Sequence, residues 1–149
     1  MSEFHKAESL ANLTFNLLAR CQEKENHIAE AHGLLEAEFK CFRLMSSEES
    51  LNNREIAKRM KLSPGRVTRI MDGLVEKGYM ERELNTKDRR NMVLSLSRKG
   101  KILVHKINGA YVKVHQDILQ EIDASQHKPL FIAMEHLLAA VERWLQKPK

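Results

Sequence analysis

Apolar residues recur along this chain at two spacings, and each spacing predicts one kind of element. Intervals of three and four residues place an apolar face on a helix, and they occur at about 8–25 and beyond, 35–45, 53–61, 64–77, 98–122 and from 125–129 to about 145. Alternation of apolar and polar residues is typical of half-buried strands and occurs at 79–84 and 92–96. The pattern predicts a mainly α-helical fold with one small β-hairpin.

The segment 51–100 contains the strongest local signals for helix boundaries. Ser63 is a good N-cap residue, and Pro64 fits the first position of a helix, where its missing N–H is not needed. Gly78 can adopt the left-handed conformation that ends a helix. The residues expected inward share helical spacing: Val67, Ile70, Met71 and Leu74. Two short helices around a tight turn, followed by a hairpin, predict a winged helix-turn-helix.

The outward face of this segment carries side chains that suit contacts with duplex DNA. Arginine bonded to guanine is the commonest specific contact in the major groove, and a basic hairpin tip suits the negative potential of a narrow minor groove. The polar tip between the strands begins at Asn85, a good turn former. The DNA-binding candidates are Arg54 on the first helix, Ser63, Pro64, Gly65, Arg66, Thr68 and Arg69 on the second, and Lys87, Arg89 and Arg90 at the tip.

The positive charge of the chain is concentrated in the same segment. Residues 54–101 hold 14 Lys or Arg against 6 Asp or Glu, a local charge of +8, whereas the whole chain carries +5. Amphipathic helices with exposed basic residues are often only solvated faces. A concentrated basic patch on a helix-turn-helix nevertheless matches an electrostatic footprint for phosphate.

The sequences LSPGRVTRIMDGLVEKGYMER and DRRNMVLSLSRKG resemble the MarR family of winged-helix transcription regulators. The resemblance is strongest over about 34–103. It rests on residues that match the family pattern, with Ser97 in place of the usual threonine: Asp88, Arg90, Leu96, Ser97 and Gly100. It implies that Asp88 and Arg90 form an ion pair that shapes the wing and that Arg89 enters the minor groove. It also implies a short extra strand near Leu51.

Long apolar stripes near both termini require a partner surface. We expect a single chain over 1–149, with a winged-helix part at about 34–100 and dimerisation helices at about 8–30 and 101–147. The terminal helices either pack on one another or join two copies across a two-fold axis. Because two-fold dimers bind half-sites about one helical turn apart, and because the family resemblance implies terminal dimerisation helices, a homodimer is predicted.

The resemblance implies a regulator, by family default a repressor, that binds a palindromic operator and is released by a small lipophilic or phenolic effector. The candidate effector pocket consists of Phe15, Phe39, Phe42, Met45 and Tyr111, which are equally consistent with a core. A redox switch at Cys21 is an alternative, since Arg20 and Lys24 are near it in sequence. The seven histidines show no clustered spacing, so no metal site is predicted.

Other function classes lack sequence support. No glycine-rich phosphate loop, nucleophile elbow or paired His–carboxylate motif is present, so neither an enzyme nor a cofactor is predicted. No apolar run approaches the roughly 20 residues of a membrane span, and two isolated cysteines favour a cytoplasmic protein. The main competitor is a winged-helix module that binds an acidic protein, which salt dependence and sequence discrimination would distinguish.

Overall fold

The computed structural model describes residues 2–45, 50–84 and 92–149. Within these ranges the helices are α1 (Glu3–Ala31), α2 (Glu36–Met45), α3 (Asn53–Met60), α4 (Pro64–Glu76), α5 (Arg98–Gln120) and α6 (His127–Gln146). The strands are β1 (Leu51–Asn52), β2 (Met80–Leu84) and β3 (Met92–Leu96), and a 3-10 turn, Ala124–Gln126, precedes α6. The predicted fold class, mainly α-helical with a small β-hairpin wing, is confirmed.

The chain divides into two compact units, residues 1–108 and 109–149. The first contains α1 to α4, the sheet and the first half of α5, and the second contains the rest of α5 and α6. The assignment of 34–100 to DNA binding and of the terminal helices to dimerisation stays a prediction.

Helix α1 is longer than the apolar stripe that predicts it. Its N-cap is Ser2, whose Oγ accepts a hydrogen bond from the backbone N–H of His5 at 3.2 Å. It ends where Gly33 adopts a positive φ of 70° and Leu34 N–H donates to the Ala29 carbonyl at 3.0 Å. The stripe begins only at Leu10, which is why periodicity places the start near residue 8.

The three strands form one antiparallel sheet in the order β1-β3-β2. Met80 pairs with Leu96 and Leu84 pairs with Met92, while Leu51 pairs with Leu94 at the outer edge. The short strand near Leu51 is therefore present, as the resemblance implied. The predicted hairpin tip, with Lys87, Asp88, Arg89 and Arg90, lies outside the described residues.

The core of the first unit is built from apolar side chains of α2, α3, α4, the sheet and α5. Those with almost no exposed surface are Phe42, Met45, Ile56, Val67, Met71, Leu74, Met80, Leu94 and Ile107. Their positions on α4, at spacings of three and four, bury one face of this helix and leave the opposite face in solvent. The core thus orients α4 for an external contact.

Lys61 ends α3 in a left-handed conformation, with φ 56° and ψ 43°. For a residue with a Cβ this conformation costs about 1 kcal/mol, whereas glycine adopts it freely. We therefore expect Lys61→Gly to raise the free energy of unfolding by about 0.5–1 kcal/mol in urea titrations. Lys61→Ala, which keeps the Cβ and removes the charge, should give no such gain. A less stable glycine variant would contradict the expectation.

The second unit joins α5 to α6 through a turn held by His127. The Nε2 atom of His127 lies 2.9 Å from the carbonyl oxygens of both Leu119 and Ile122, near the C-terminal end of α5. Helix α6 has no buried residue, and most of its large apolar side chains are exposed: Phe131, Ile132, Met134, Leu138, Val141, Trp144 and Leu145. Among the described residues, no helix has the length and apolar character that crossing a membrane requires.

Candidate nucleic-acid interface

Local hydrogen bonds fix the start of α4. The Ser63 Oγ accepts from the Arg66 backbone N–H at 3.3 Å, and Pro64 occupies the first turn. The Thr68 Oγ1 donates to the Pro64 carbonyl at 3.0 Å. At the other end, Gly78 takes a φ of 85°, and Tyr79 N–H donates to the Leu74 carbonyl at 3.0 Å. The predicted boundary residues of this helix therefore act as expected.

The side of α4 opposite the core forms the recognition face, which we define as Gly65, Arg66, Thr68 and Arg69. All four residues are exposed, as are Ser63 and Pro64. Within the described part of the chain, no heavy atom outside the helix would come within 4 Å of a Cβ added at Gly65, so its backbone is open to close approach. Side chains in the N-terminal half of such a helix contact base edges when the helix enters a major groove.

Helix α3 precedes this face and carries the other predicted contact. Asn52 caps α3, since its Oδ1 accepts from the Glu55 backbone N–H at 2.8 Å. Arg54, in the first turn, is exposed. The structure thus presents every described DNA-binding candidate to solvent, on two helices joined by one tight turn.

An ion pair that the sequence did not predict joins α4 to the wing. Asp72, on the exposed side of α4, pairs with the guanidinium of Arg82 on β2. Both side chains remain partly exposed, so the pair contributes little stability. It does offset the acidic charge of Asp72 on that side of α4. The alternating pattern marks Arg82 only as one polar position of a strand, so the sequence carries no signal for this pair.

Comparisons with known proteins agree with this geometry. Residues 34–92 match the MarR family model. The chain is 28% identical over 141 residues to the HTH-type transcriptional repressor YetL of Bacillus subtilis, with 86% of this chain and 83% of that protein covered. The YusO structure from Bacillus subtilis has a TM-score of 0.71 at 25% identity and covers 96% of this chain and 99% of its own.

Residues 34–92 form a MarR-family domain. The resemblance drawn from the sequence is thereby confirmed, and so is the expectation that this protein is a DNA-binding transcription regulator and not an enzyme. A mutant of Escherichia coli MarR, solved in complex with operator DNA, shares the fold with a TM-score of 0.66 at 23% identity, covering 95% of this chain and 99% of that chain.

The residues predicted to line an effector pocket occupy different environments in this chain. Phe39, Phe42 and Met45 share the inner face of α2 and have almost no exposed surface. Phe15 on α1 is 73% exposed. Tyr111 belongs to the second unit, where its ring stacks on His115 at a centroid distance of 6.0 Å. The first three act as core residues, and a pocket formed by all five stays a prediction.

The two cysteines differ in chemical environment. Burial raises the pKa of the Cys41 thiol to about 12, so almost no thiolate forms at neutral pH. Cys21 is half-buried on α1, and the Nζ of Lys24 lies 3.8 Å from its Sγ. Within the described ranges, no group of three His, Cys, Asp or Glu side chains is placed to hold a metal ion.

Proposed function

We propose that this MarR-family protein is a repressor that binds a palindromic operator as a homodimer, with α4 in the major groove. The proposal rests on the exposed cationic side of α4, which lies opposite the buried side chains of Val67, Met71 and Leu74. Repressor activity is in keeping with the similarity to the repressor YetL, and operator binding with the complex of E. coli MarR.

Exposed apolar surface on the terminal helices supports the homodimer. Leu10, Leu13, Leu17 and Leu18 on α1 are all about half exposed or more, and α6 exposes its own apolar stripe. Large contiguous apolar patches on a protein surface mark interaction sites. A two-fold interface made of the same segments from two copies would cover them and fix the separation of two recognition faces.

The wing is proposed to contribute the second set of DNA contacts. By family resemblance, Asp88 and Arg90 would pair within the tip while Arg89 enters a minor groove and Lys87 binds phosphate. The backbone pairing of β2 with β3 ends at Leu84 and Met92, just before and just after the tip segment. We propose the cytoplasm as the location, because the proposed target is genomic DNA.

Release from DNA by a small lipophilic or phenolic effector is proposed from the resemblance alone. A redox switch at Cys21 is the second candidate, supported by the Lys24 ammonium 3.8 Å from the thiol sulfur. Loss of DNA binding after peroxide treatment, absent in Cys21→Ser, would favour this candidate, while release by a phenolic compound in both proteins would favour the effector.

Substitution of the recognition-face arginines tests the proposed DNA contact. Arg66→Ala and Arg69→Ala should each cost about 1–3 kcal/mol of binding free energy on a selected operator if the arginine makes a bidentate base contact. The loss on random duplex should be smaller, because only specific binding uses the base edge. Equal losses on both duplexes would instead indicate phosphate contacts.

The matched control is Lys40→Ala, which removes one exposed cation of α2 outside the 54–101 segment. It should change operator binding little. The competing protein-interaction role predicts similar affinity for any polyanion, whereas a regulator should prefer its operator over random duplex by at least about 10³-fold. Binding without such a preference would overturn the proposed function.

A further inference from the structure

The ammonium group of Lys77, just beyond the C-terminal end of α4, joins the ends of three helices. Its Nζ donates to the Glu38 Oε1 at 2.5 Å and to the Gly33 carbonyl oxygen at 3.1 Å. Gly33 lies just beyond α1, and Glu38 lies in the first turn of α2. The Lys77 side chain therefore connects the C-terminal end of α4 to the corner between α1 and α2.

Glu38 is built into this corner and has little freedom to move. Its residue is only 3% exposed, and its Oε1 also accepts from the Leu35 backbone N–H at 2.9 Å, which caps the start of α2. A Cβ added at Gly73 of α4 would overlap the Glu38 Oε2, so the absence of a side chain at 73 lets the carboxylate rest against the helix backbone. Burying an ionised carboxylate is costly unless it is paired with a cation and hydrogen-bonded, and Lys77 and the Leu35 N–H meet both conditions for Glu38.

A second lysine attaches the first turn of α5 to the same point. The Nζ of Lys99 donates to the Lys77 carbonyl at 3.0 Å and lies 4.9 Å from the centre of the Tyr79 ring. Lys99 and Lys77 thus place two cations at the C-terminal end of α4, where the helix dipole favours positive charge. Four helices, α1, α2, α4 and α5, meet at this cluster of Glu38, Lys77 and Lys99, which we call the corner cluster.

We propose that Glu38 and Lys77 are positioning residues that fix the orientation of α4, the recognition helix, relative to α1. They thereby determine which spacing of half-sites the protein accepts. The inference rests on the proposed function, in which α1 forms part of the dimer. Neither residue touches DNA in this proposal. The corner cluster links α4 to α1 through two direct hydrogen bonds of Lys77. One goes to Gly33, just beyond α1, and the other to Glu38 in the first turn of α2.

The spacing of half-sites is the property that such a tether controls. Changing the distance between two half-sites by one base pair moves the second site by about 3.4 Å and rotates it by about a tenth of a turn. A dimer whose two α4 helices are held in fixed orientations loses affinity when the spacing changes, whereas a dimer whose α4 helices can reorient keeps its affinity. A residue that only stabilises the fold would lower affinity on every duplex without altering this preference.

The decisive variant is Glu38→Gln/Lys77→Met. The glutamine retains an oxygen that accepts from the Leu35 N–H, the methionine keeps most of the aliphatic length of lysine, and no unpaired buried charge remains. Lys77→Arg serves as the conservative variant, because it can still donate to Glu38 and to the Gly33 carbonyl. Lys106→Met, at an exposed lysine of α5, matches the loss of one cation without touching the corner cluster.

The experiment measures affinity for the selected operator and for duplexes in which its half-sites stand one base pair closer or farther apart. Wild type, Lys77→Arg and Lys106→Met should prefer the selected spacing by about tenfold or more, whereas the double variant should retain less than about a threefold preference. Circular dichroism and urea titration establish that each variant folds. The single variant Glu38→Gln keeps the Lys77 donor, so its preference for the selected spacing should lie between those of wild type and the double variant. It replaces the double variant in the test if the latter does not fold.

A folded double variant with the full wild-type spacing preference would overturn this inference and leave the proposed function standing. Wild-type protein that selects no operator at all would overturn the proposed function and, with it, this inference. Equal loss of affinity on all three duplexes, with the preference retained, would show the corner cluster to be only structural.

Discussion

Replacement of Leu138 by aspartate is expected to convert the protein to monomers and to lower operator affinity at least about 100-fold. Leu138 is 61% exposed in the single chain and lies on one face of α6 with Met134, Val141 and Leu145. An aspartate there remains solvated in the monomer but enters an apolar interface in the dimer, where burying an unpaired charge is costly. Because a two-fold interface repeats each residue, one substitution introduces the charge twice.

The loss of affinity follows from the loss of coupled binding. Once one recognition face of a dimer has bound its half-site, the second face is held near the other half-site at high effective concentration. A monomer lacks this advantage. Sedimentation and operator titration measure the two effects on the same sample. His136→Asp is the matched control, because it places an aspartate on the opposite, exposed side of α6 and should leave the dimer intact. A dimeric Leu138→Asp protein would remove α6 from the proposed interface.

The second large effect is expected from Gly100→Ala, which should lower the free energy of unfolding by about 2–3 kcal/mol. A Cβ at position 100 would overlap the carbonyl oxygen of Tyr79 and lie 3.0 Å from its carbon. The obstacle is backbone and cannot rotate away. That carbonyl accepts from the Ser97 N–H at 3.0 Å, and the Ser97 Oγ accepts from the Gly100 N–H at 3.0 Å.

The clash therefore lies between the first turn of α5 and Tyr79, shortly after the end of α4. Moving these two segments apart would disturb the hydrogen bonds of Ser97 that cap α5. Gly109→Ala provides the control on the same helix, since no heavy atom of the described residues, apart from the adjacent residues and the backbone of the helix itself, lies within 4 Å of an added Cβ there. Alanine at 109 should stabilise the helix by about 0.5–1 kcal/mol. Urea titrations at one protein concentration compare the two, since dimer stability depends on concentration. Similar stability of both variants would contradict the steric argument.

Signals confined to a few residues are sufficient to predict the recognition helix. Ser63, Pro64 and Gly78 act through bonds to neighbours within five residues, so their roles follow from residue type and order. The burial of Val67, Met71 and Leu74 follows from helical spacing alone. The strand near Leu51 depends instead on the family resemblance, because two residues carry no periodicity.

Contacts between distant segments could not be predicted in this way. Lys77 and Glu38 are 39 residues apart, and neither the charge pattern nor the helical period specifies that they meet. Glu38 looks like an ordinary polar position until the fold places Gly73 against it. Likewise helical spacing groups Asp72 with the recognition side of α4, and only the proximity of β2 gives it Arg82 as a partner.

Selection of bound sites from random duplex DNA by the 149-residue chain tests the central claim most directly. The account predicts an inverted repeat whose half-site centres lie about 10 base pairs apart or a multiple of that distance. Such a result would place two recognition faces on successive turns of one duplex. Enrichment of a single unrepeated half-site, or of no sequence at all, would contradict the account.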